Sequence, residues 1–237
     1  MNTPFALNLL TLFYIGSDME RIPVGCSAFD NLLGGGIECG SVTLLYGEAG
    51  TGKTNICLQT AYNVIRNGKK VAYLDTEGLS TERLMQVFRD EGLLKGLLVF
   101  HIHSFEEQSD RVAKAVRLTE ANGQIGLVVV DSLTMYYRLH MDDNSARTEL
   151  NKEAEMLLTA ARKSDVPVLV TSQVYANISA GVVEFLGGHG LHHNAKTIIR
   201  LDKRNNGRRT AVIMKHRSLP EGRSVNYRIV ESGIIDD

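Results

Sequence analysis

Cysteine is scarce in this chain. The three present, Cys26, Cys39 and Cys57, form no CxxC pair and are odd in number. That argues against a disulfide scaffold or a zinc module, and for reduced thiols in a cytosolic protein. A dominant charge is missing as well: 26 Lys and Arg stand against 27 Asp and Glu, for a net charge of −1. Global charge therefore gives no sign of a nucleic-acid partner. Phe5 to Gly16 is mostly apolar, but it is too short to span a bilayer and lacks the basic start of a secretory signal. No internal repeat and no low-complexity linker interrupts the sequence. With 237 residues, 43% hydrophobic and 22% charged, the composition fits one good-sized globular domain.

The charge is nevertheless uneven. Residues 196–228 hold ten Lys or Arg against Asp202 and Glu221, a local net charge of +8 that leaves −9 on the remainder. Such a patch fits either a nucleic-acid surface or a set of solvated strand faces. At the other end, the core starts at Met19-Glu20-Arg21-Ile22-Pro23. Residues 1–18 are then a leader or arm, with 19–237 as the core domain. Translation from Met19 is the preferred explanation; an arm docked on a neighbouring subunit is the alternative.

Residues 47–54 read Gly-Glu-Ala-Gly-Thr-Gly-Lys-Thr and fit the phosphate-loop pattern G-x-x-x-x-G-K-[ST]. An apolar run at 42–46 precedes the loop and a helical pattern over 53–66 follows it. That order turns backbone N–H groups and a helix N-terminus toward a nucleotide's phosphates. Lys53 would reach the β- and γ-phosphates, and the Thr54 hydroxyl would hold Mg²⁺. Gly47, Glu48, Ala49, Gly50, Thr51, Gly52, Lys53, Thr54 and Asn55 thus form the expected ATP cradle.

The pattern predicts a short helix over 27–33, capped at or near Ser27, and a strand over 71–75. Thr81 is the expected cap of a helix over 82–91. A strand over 97–102 and a helix over 105–121 follow, then a strand over 126–131, a helix from 145 or 147 to 163, and a strand over 166–171. Strands alternating with helices imply a mainly parallel sheet flanked by helices, an α/β fold. After residue 172 the pattern changes. Strands over 198–202, 210–215 and 225–230 follow without helices, and Asn205-Asn206-Gly207 is a hairpin turn. The C-terminal portion is therefore expected to extend the sheet in antiparallel fashion.

Asp131 ends a buried apolar strand and is the expected second Mg²⁺ group, acting through water. Glu77 follows the strand over 71–75 and is placed to orient an attacking water. Gln173, at the end of the strand over 166–171, is placed to sense the γ-phosphate. His189, His192 and His193 have only Glu184 at a metal-ligand spacing, so stacking on single-strand bases or loop packing fits them better. Lys203, Arg204, Arg208 and Arg209 flank the 205–207 turn and suit phosphate contacts without sequence preference. Tyr136, Tyr137 and Arg138 offer either stacking or core packing.

These residues together carry a resemblance. Tyr73-Leu74-Asp75-Thr76-Glu77-Gly78, Glu82-Arg83-Leu84, Leu127 to Ser132 and Ser172-Gln173-Val174 resemble the RecA/RadA recombinase ATPase core. The stretch from Ile22 to Ile37, and Leu219-Pro220-Glu221-Gly222 followed by Gly233-Ile234, are similar to it as well. Within that family the chain looks most like the archaeal RadB branch, a bare core with Gly187-Gly188-His189 and Lys196 to Leu201 after the second loop.

The resemblance implies a RecA-type core in which Glu77 is the catalytic carboxylate, Gln173 the γ-phosphate switch and Arg83 a platform for adenine. Leu133 to Ala146 would be the first DNA-facing loop and Asn177 to Asn194 the second. It also implies an accessory factor in DNA repair and homologous recombination. Such a factor binds ATP and single-stranded or branched DNA, hydrolyses ATP weakly, and works with a RadA-type recombinase and a Holliday-junction resolvase rather than driving strand exchange.

Two departures stand out. The phosphate loop begins at 47, which leaves no room for a helix-hairpin-helix domain before the core; Phe5-Ala6 is only a fragment of a polymerisation motif. RadA-type chains carry Asp-Ser-Pro where this one has Lys215-His216-Arg217-Ser218. Lys215 and Arg217, two apart on an expected strand, would share a face and act in trans as fingers on a neighbour's nucleotide, making ATP sites between copies in a homo-oligomer. A KaiC-like signalling ATPase with a protein partner, and a non-hydrolysing ATP-dependent adaptor, remain as alternatives.

Overall fold

A computed structural model describes residues 20–177 and 182–237. The expected leader at 1–18 and residues 178–181 of the expected second loop lie outside them. In chain order the elements are β1 (Arg21–Ile22), α1 (Ser27–Leu32), β2 (Ile37–Glu38), β3 (Val42–Gly47), α2 (Lys53–Arg66), β4 (Lys70–Asp75), α3 (Thr81–Phe88), α4 (Glu91–Leu94), β5 (Leu97–His101), α5 (Phe105–Asn122), β6 (Ile125–Asp131), α6 (Asn144–Ser164) and β7 (Val168–Ser172). Then come β8 (Val174–Asn177), β9 (Val182–Phe185), α7 (Gly188–Asn194), β10 (Thr197–Lys203), β11 (Arg208–Lys215), β12 (Ser224–Val230) and β13 (Gly233–Asp236).

Among the described residues, nine strands form the main sheet, in the order β13-β12-β11-β10-β3-β7-β6-β4-β5. Every pair from β10 to β5 is parallel, and β10 to β13 pair antiparallel. This is the expected mainly parallel α/β sheet with an antiparallel C-terminal extension. Successive strand residues point to opposite faces, and the central strands are apolar on both because both faces are covered. Leu127 and Val129 of β6 enter one core with Leu45, Tyr73, Leu169 and residues of α1 and α2. Val128 and Val130 enter a second core with Leu44, Leu74 and residues of α5 and α6. The cysteines are free and buried.

The structure corrects several local expectations. Ser80, not Thr81, caps α3, its hydroxyl accepting from Arg83 N at 3.3 Å. The single helix expected over 82–91 is broken at Arg89, which has a left-handed φ of 54°. Asp90 then caps α4 by accepting from Gly92 N at 2.7 Å. At α1 no side chain occupies the capping role; Asp236, far away in sequence, instead accepts from Ala28 N at 2.7 Å. The hairpin β8–β9, the helix α7 and the edge strand β13 were not expected, being short and without clear periodicity. Asn206 and Gly207 do make the hairpin turn, with φ of 58° and 75°, the positive values such turns demand.

Leu169 lies in β7 and is fully buried. Leu169→Ala is expected to cost about 2–5 kcal/mol of stability through lost burial and a residual cavity. A urea titration checks this; an unchanged midpoint would contradict the packing described.

Candidate nucleotide site

The phosphate loop leaves the C-terminal end of β3, which lies inside the sheet between β10 and β7. Gly47 pairs with Leu201 in register, and a Cβ there would lie 2.3 Å from the Leu201 carbonyl oxygen. Only glycine fits, so the first invariant position of the motif is set by strand proximity. Gly52, at a left-handed φ of 104°, turns the loop into α2. Lys53 folds back and donates to the Gly47 and Glu48 carbonyls at 2.8 and 3.2 Å. Burial lowers its pKa, while Glu77 and Asp131 oppose that shift. Tyr227 donates its hydroxyl to Thr51 O at 2.7 Å and ties the loop to β12.

Asp131 is 2% exposed and accepts from three hydroxyls: Thr54 at 2.8 Å, Tyr73 at 2.8 Å and Thr171 at 2.6 Å. Neutral donors hold the carboxylate in place without cancelling its charge. Thr54 and Asp131 therefore present one hydroxyl and one charged oxygen set side by side. This suits Mg²⁺, which takes few protein ligands and fills its octahedron with water and phosphate. Among the described residues no cluster of three His, Cys, Asp or Glu could hold a metal by itself.

Glu77, Gln173 and Arg138, far apart in sequence, meet at the mouth of the sheet. Gln173 Nε2 donates to Glu77 Oε1 at 3.1 Å, and Gln173 Oε1 accepts from Arg138 at 3.2 Å. Asp75 shapes the turn that carries Glu77, accepting from the backbone N–H groups of Glu77, Gly78 and Leu79 at 3.2, 2.8 and 2.8 Å. The root of the 133–146 loop is fixed from below, where Gln108 donates to Leu133 O at 3.0 Å and to Glu153 at 2.7 Å. Ser109 donates to the other Glu153 oxygen at 2.6 Å. Glu153 is fully buried, and desolvation pushes its pKa up to about 7 against those two hydrogen bonds.

Arg83 is fastened at its edges, donating to Asn55 Oδ1 at 2.5 Å, to Gln86, and to the Glu231 and Val230 carbonyls. Those bonds lie in the guanidinium plane, whereas stacking uses its face. β11 ends at Lys215, so the period of two expected to set Lys215 and Arg217 on one face does not reach Arg217. Lys215 donates to the His192 and Ala195 carbonyls at 2.6 and 2.8 Å, closing the C-terminus of α7. Arg217 pairs with buried Glu38 at 3.3 Å. Both lie at the end of β11 that pairs with the start of β10, on the opposite edge of the sheet from the chain's own phosphate loop.

The expected DNA contacts are scattered over two places. A cavity of 330 Å³ separates the two loops and is lined by Tyr137, Met141, Arg147, Asn151, Leu186 and His189, with Gly187, Gly188 and Gly190. Leu139, between lining residues Tyr137 and Met141 in sequence, is 71% exposed. His192 instead stacks on Phe185, with ring centroids 6.2 Å apart. The hairpin residues divide: Arg204 is held by Thr210 and Asp202, and Arg208 by Asp237. Arg209 donates to Gly50 O of the phosphate loop at 3.3 and 3.2 Å. Sequence reasoning missed Tyr73 and Thr171 because a tyrosine and a threonine inside apolar strands look like core. Asp75 does carry a signal in the sequence, an acid at the end of a buried strand two residues before Glu77.

Comparison with known proteins gives consistent matches. A family model named Rad51 matches residues 16–237. A protein from Methanococcoides burtonii called "DNA repair and recombination protein RadB" is 42% identical over 91% of this chain and 97% of its own length. One of the same description from Archaeoglobus fulgidus is 42% identical over 91% of this chain and 99% of its own length. A solved structure described as "Crystal structure of the RadB recombinase" is similar with a TM-score of 0.81 at 36% identity, covering 92% of this chain and all of that one.

The raised pKa of Glu153 sets a sign. In the unfolded chain the group titrates near 4.5, and in the folded protein near 7. The folded state therefore holds the extra proton, and stability contributed by Glu153 is lost as pH rises from the first value to the second. Glu153→Gln is expected to remove that slope in urea midpoints measured from pH 4.5 to 7.5. An identical slope in the variant would contradict it.

Proposed function

The chain belongs to the Rad51 family, and on that premise we propose that it is an ATP- and DNA-binding accessory factor of repair and recombination whose slow hydrolysis resets a nucleotide-set switch. Lys53 swings from the Gly47 and Glu48 carbonyls to the β- and γ-phosphates, and the Gly47–Thr54 backbone cradles them. Thr54, and Asp131 through water, would hold Mg²⁺, which when bound would neutralise phosphate charge. Arg83 offers its face to the adenine, with Asn55 fixing its tilt.

Glu77 orients the attacking water and takes its proton. The observation that carries the reading is the chain Glu77–Gln173–Arg138. It joins the group that acts on the γ-phosphate to the root of the first loop through one side-chain amide. A γ-phosphate that draws Gln173 toward itself breaks both bonds and releases Arg138, with Leu139, Met141 and the cavity edge beside it, toward a DNA strand. Such a strand would meet His189 there and the arginines of the 203–209 hairpin further along. For Lys215 and Arg217 to reach a neighbouring copy, the bonds to α7 and to Glu38 would first have to break. Every step described here works within one chain.

Glu77→Gln is expected to slow ATP turnover by about 10²-fold or more, the usual scale of general-base assistance, with ATP affinity retained. Lys53→Ala is expected to lose ATP affinity itself. Turnover of Glu77→Gln at the wild-type rate would remove the assigned base. A complementary measurement is ATP turnover with and without single-stranded DNA in Gln173→Ala. Any dependence on DNA in the wild type is expected to vanish there; if it persists, the Gln173 link is wrong.

A further inference from the structure

The basic hairpin was expected to face DNA, but its one lysine, Lys203, stands beside the phosphate loop. β10 and β3 run parallel with Leu201 opposite Gly47. Both strands run on past that pair in the same direction, which brings residues 202–203 beside the phosphate loop. In the antiparallel register of β10 with β11, Lys203 lies opposite Arg209. Arg209 in turn grips the Gly50 carbonyl. The hairpin is thereby folded down on the tip of the loop. Gly50, with φ of 77°, carries no side chain, and the Lys203 stem occupies the space: a Cβ on Gly50 would lie 3.4 Å from Lys203 Cε and 3.7 Å from Nζ.

The ammonium of Lys203 has no hydrogen-bond or ion-pair partner among the described residues. The nearby acid, Asp202, is engaged by Arg200 and Arg204. The Lys203 charge also helps to hold the pKa of Lys53 down, so the two ammonium groups sense each other across the loop. An unpaired cation over a loop whose N–H groups gather phosphates lacks one thing, an anion of high charge density.

We propose that Lys203 is a second phosphate-binding lysine of the nucleotide site, contacting the polyphosphate of a nucleoside triphosphate from the β10 side while Lys53 contacts it from α2. This rests on the nucleotide-binding reading above and reassigns Lys203 from DNA to ATP. It also makes the hairpin a reporter of occupancy, since Lys203 and Arg209 connect the loop tip to Arg204 and Arg208.

Lys203 is exposed, so its replacement leaves the core untouched. The test is fluorescence titration of labelled ATP, ADP and AMP with Mg²⁺, in parallel with binding of labelled single-stranded DNA without nucleotide. Lys203→Met is expected to weaken ATP and ADP by about 5- to 30-fold, the scale of one partly screened charge contact with a polyphosphate. AMP binding and nucleotide-free DNA binding should stay at wild-type values. Lys203→Arg should recover most of the loss, and Arg228→Ala, which removes another cation of the same sheet edge, should match wild type for ATP. Wild-type nucleotide affinity in Lys203→Met, or a loss confined to DNA, would overturn the proposal. A wild-type protein that binds no ATP at all would instead bring down the reading of the whole site.

Discussion

One buried carboxylate holds the site together. Asp131 sits at the end of β6, and its three hydroxyl partners come from α2, β4 and β7. Four elements are pinned at one point at the C-terminal edge of a parallel sheet, where α/β folds place their ligands. An ionised carboxylate in such a place is costly unless hydrogen-bonded. Neutral donors meet that cost and leave the negative charge available to a cation. Everything around it is arranged from that point: the phosphate loop on the β3 side, the Glu77 turn at the end of β4, and Gln173 just after β7.

The second constraint is backbone proximity. Strand β10 lies so close to β3 that Gly47 admits no side chain. The same closeness carries the C-terminal hairpin onto the loop tip, with Tyr227 holding Thr51 and Arg209 holding Gly50. The antiparallel extension is therefore more than an appendage to the parallel half. It packs on the phosphate loop and brings part of the +8 segment to the loop tip. The remaining cations of the hairpin are partly neutralised by Asp202 and Asp237, so the local excess of charge overstates what is free to meet a polyanion.

Much of this was legible in the sequence, for identifiable reasons. A strict motif with a strand before it and a helix after it located Gly47–Thr54, and α2 runs over the expected 53–66. Continuous apolar runs gave the central strands, because both of their faces are buried. Residues that act through distance were not legible. Tyr73 and Thr171 serve Asp131 from neighbouring strands, and nothing in their own spacing shows it. Asp236 completes the start of α1 from about two hundred positions away. That Lys203 and Arg209 lie against Gly50 was not legible either, because charge can be counted along a chain, whereas direction depends on strand register. Lys215 and Arg217 looked paired because period two holds only while the strand lasts, and β11 stops at Lys215.

The central claim is that the γ-phosphate, through Gln173, sets how the first loop meets DNA. Anisotropy of a labelled single-stranded oligonucleotide, titrated with the protein in ATP, in ADP and without nucleotide, tests it most directly when run beside Gln173→Ala. The account predicts an affinity in ATP that differs several-fold from that in ADP for the wild type, and no difference for the variant. Equal wild-type affinities in all three conditions would contradict it.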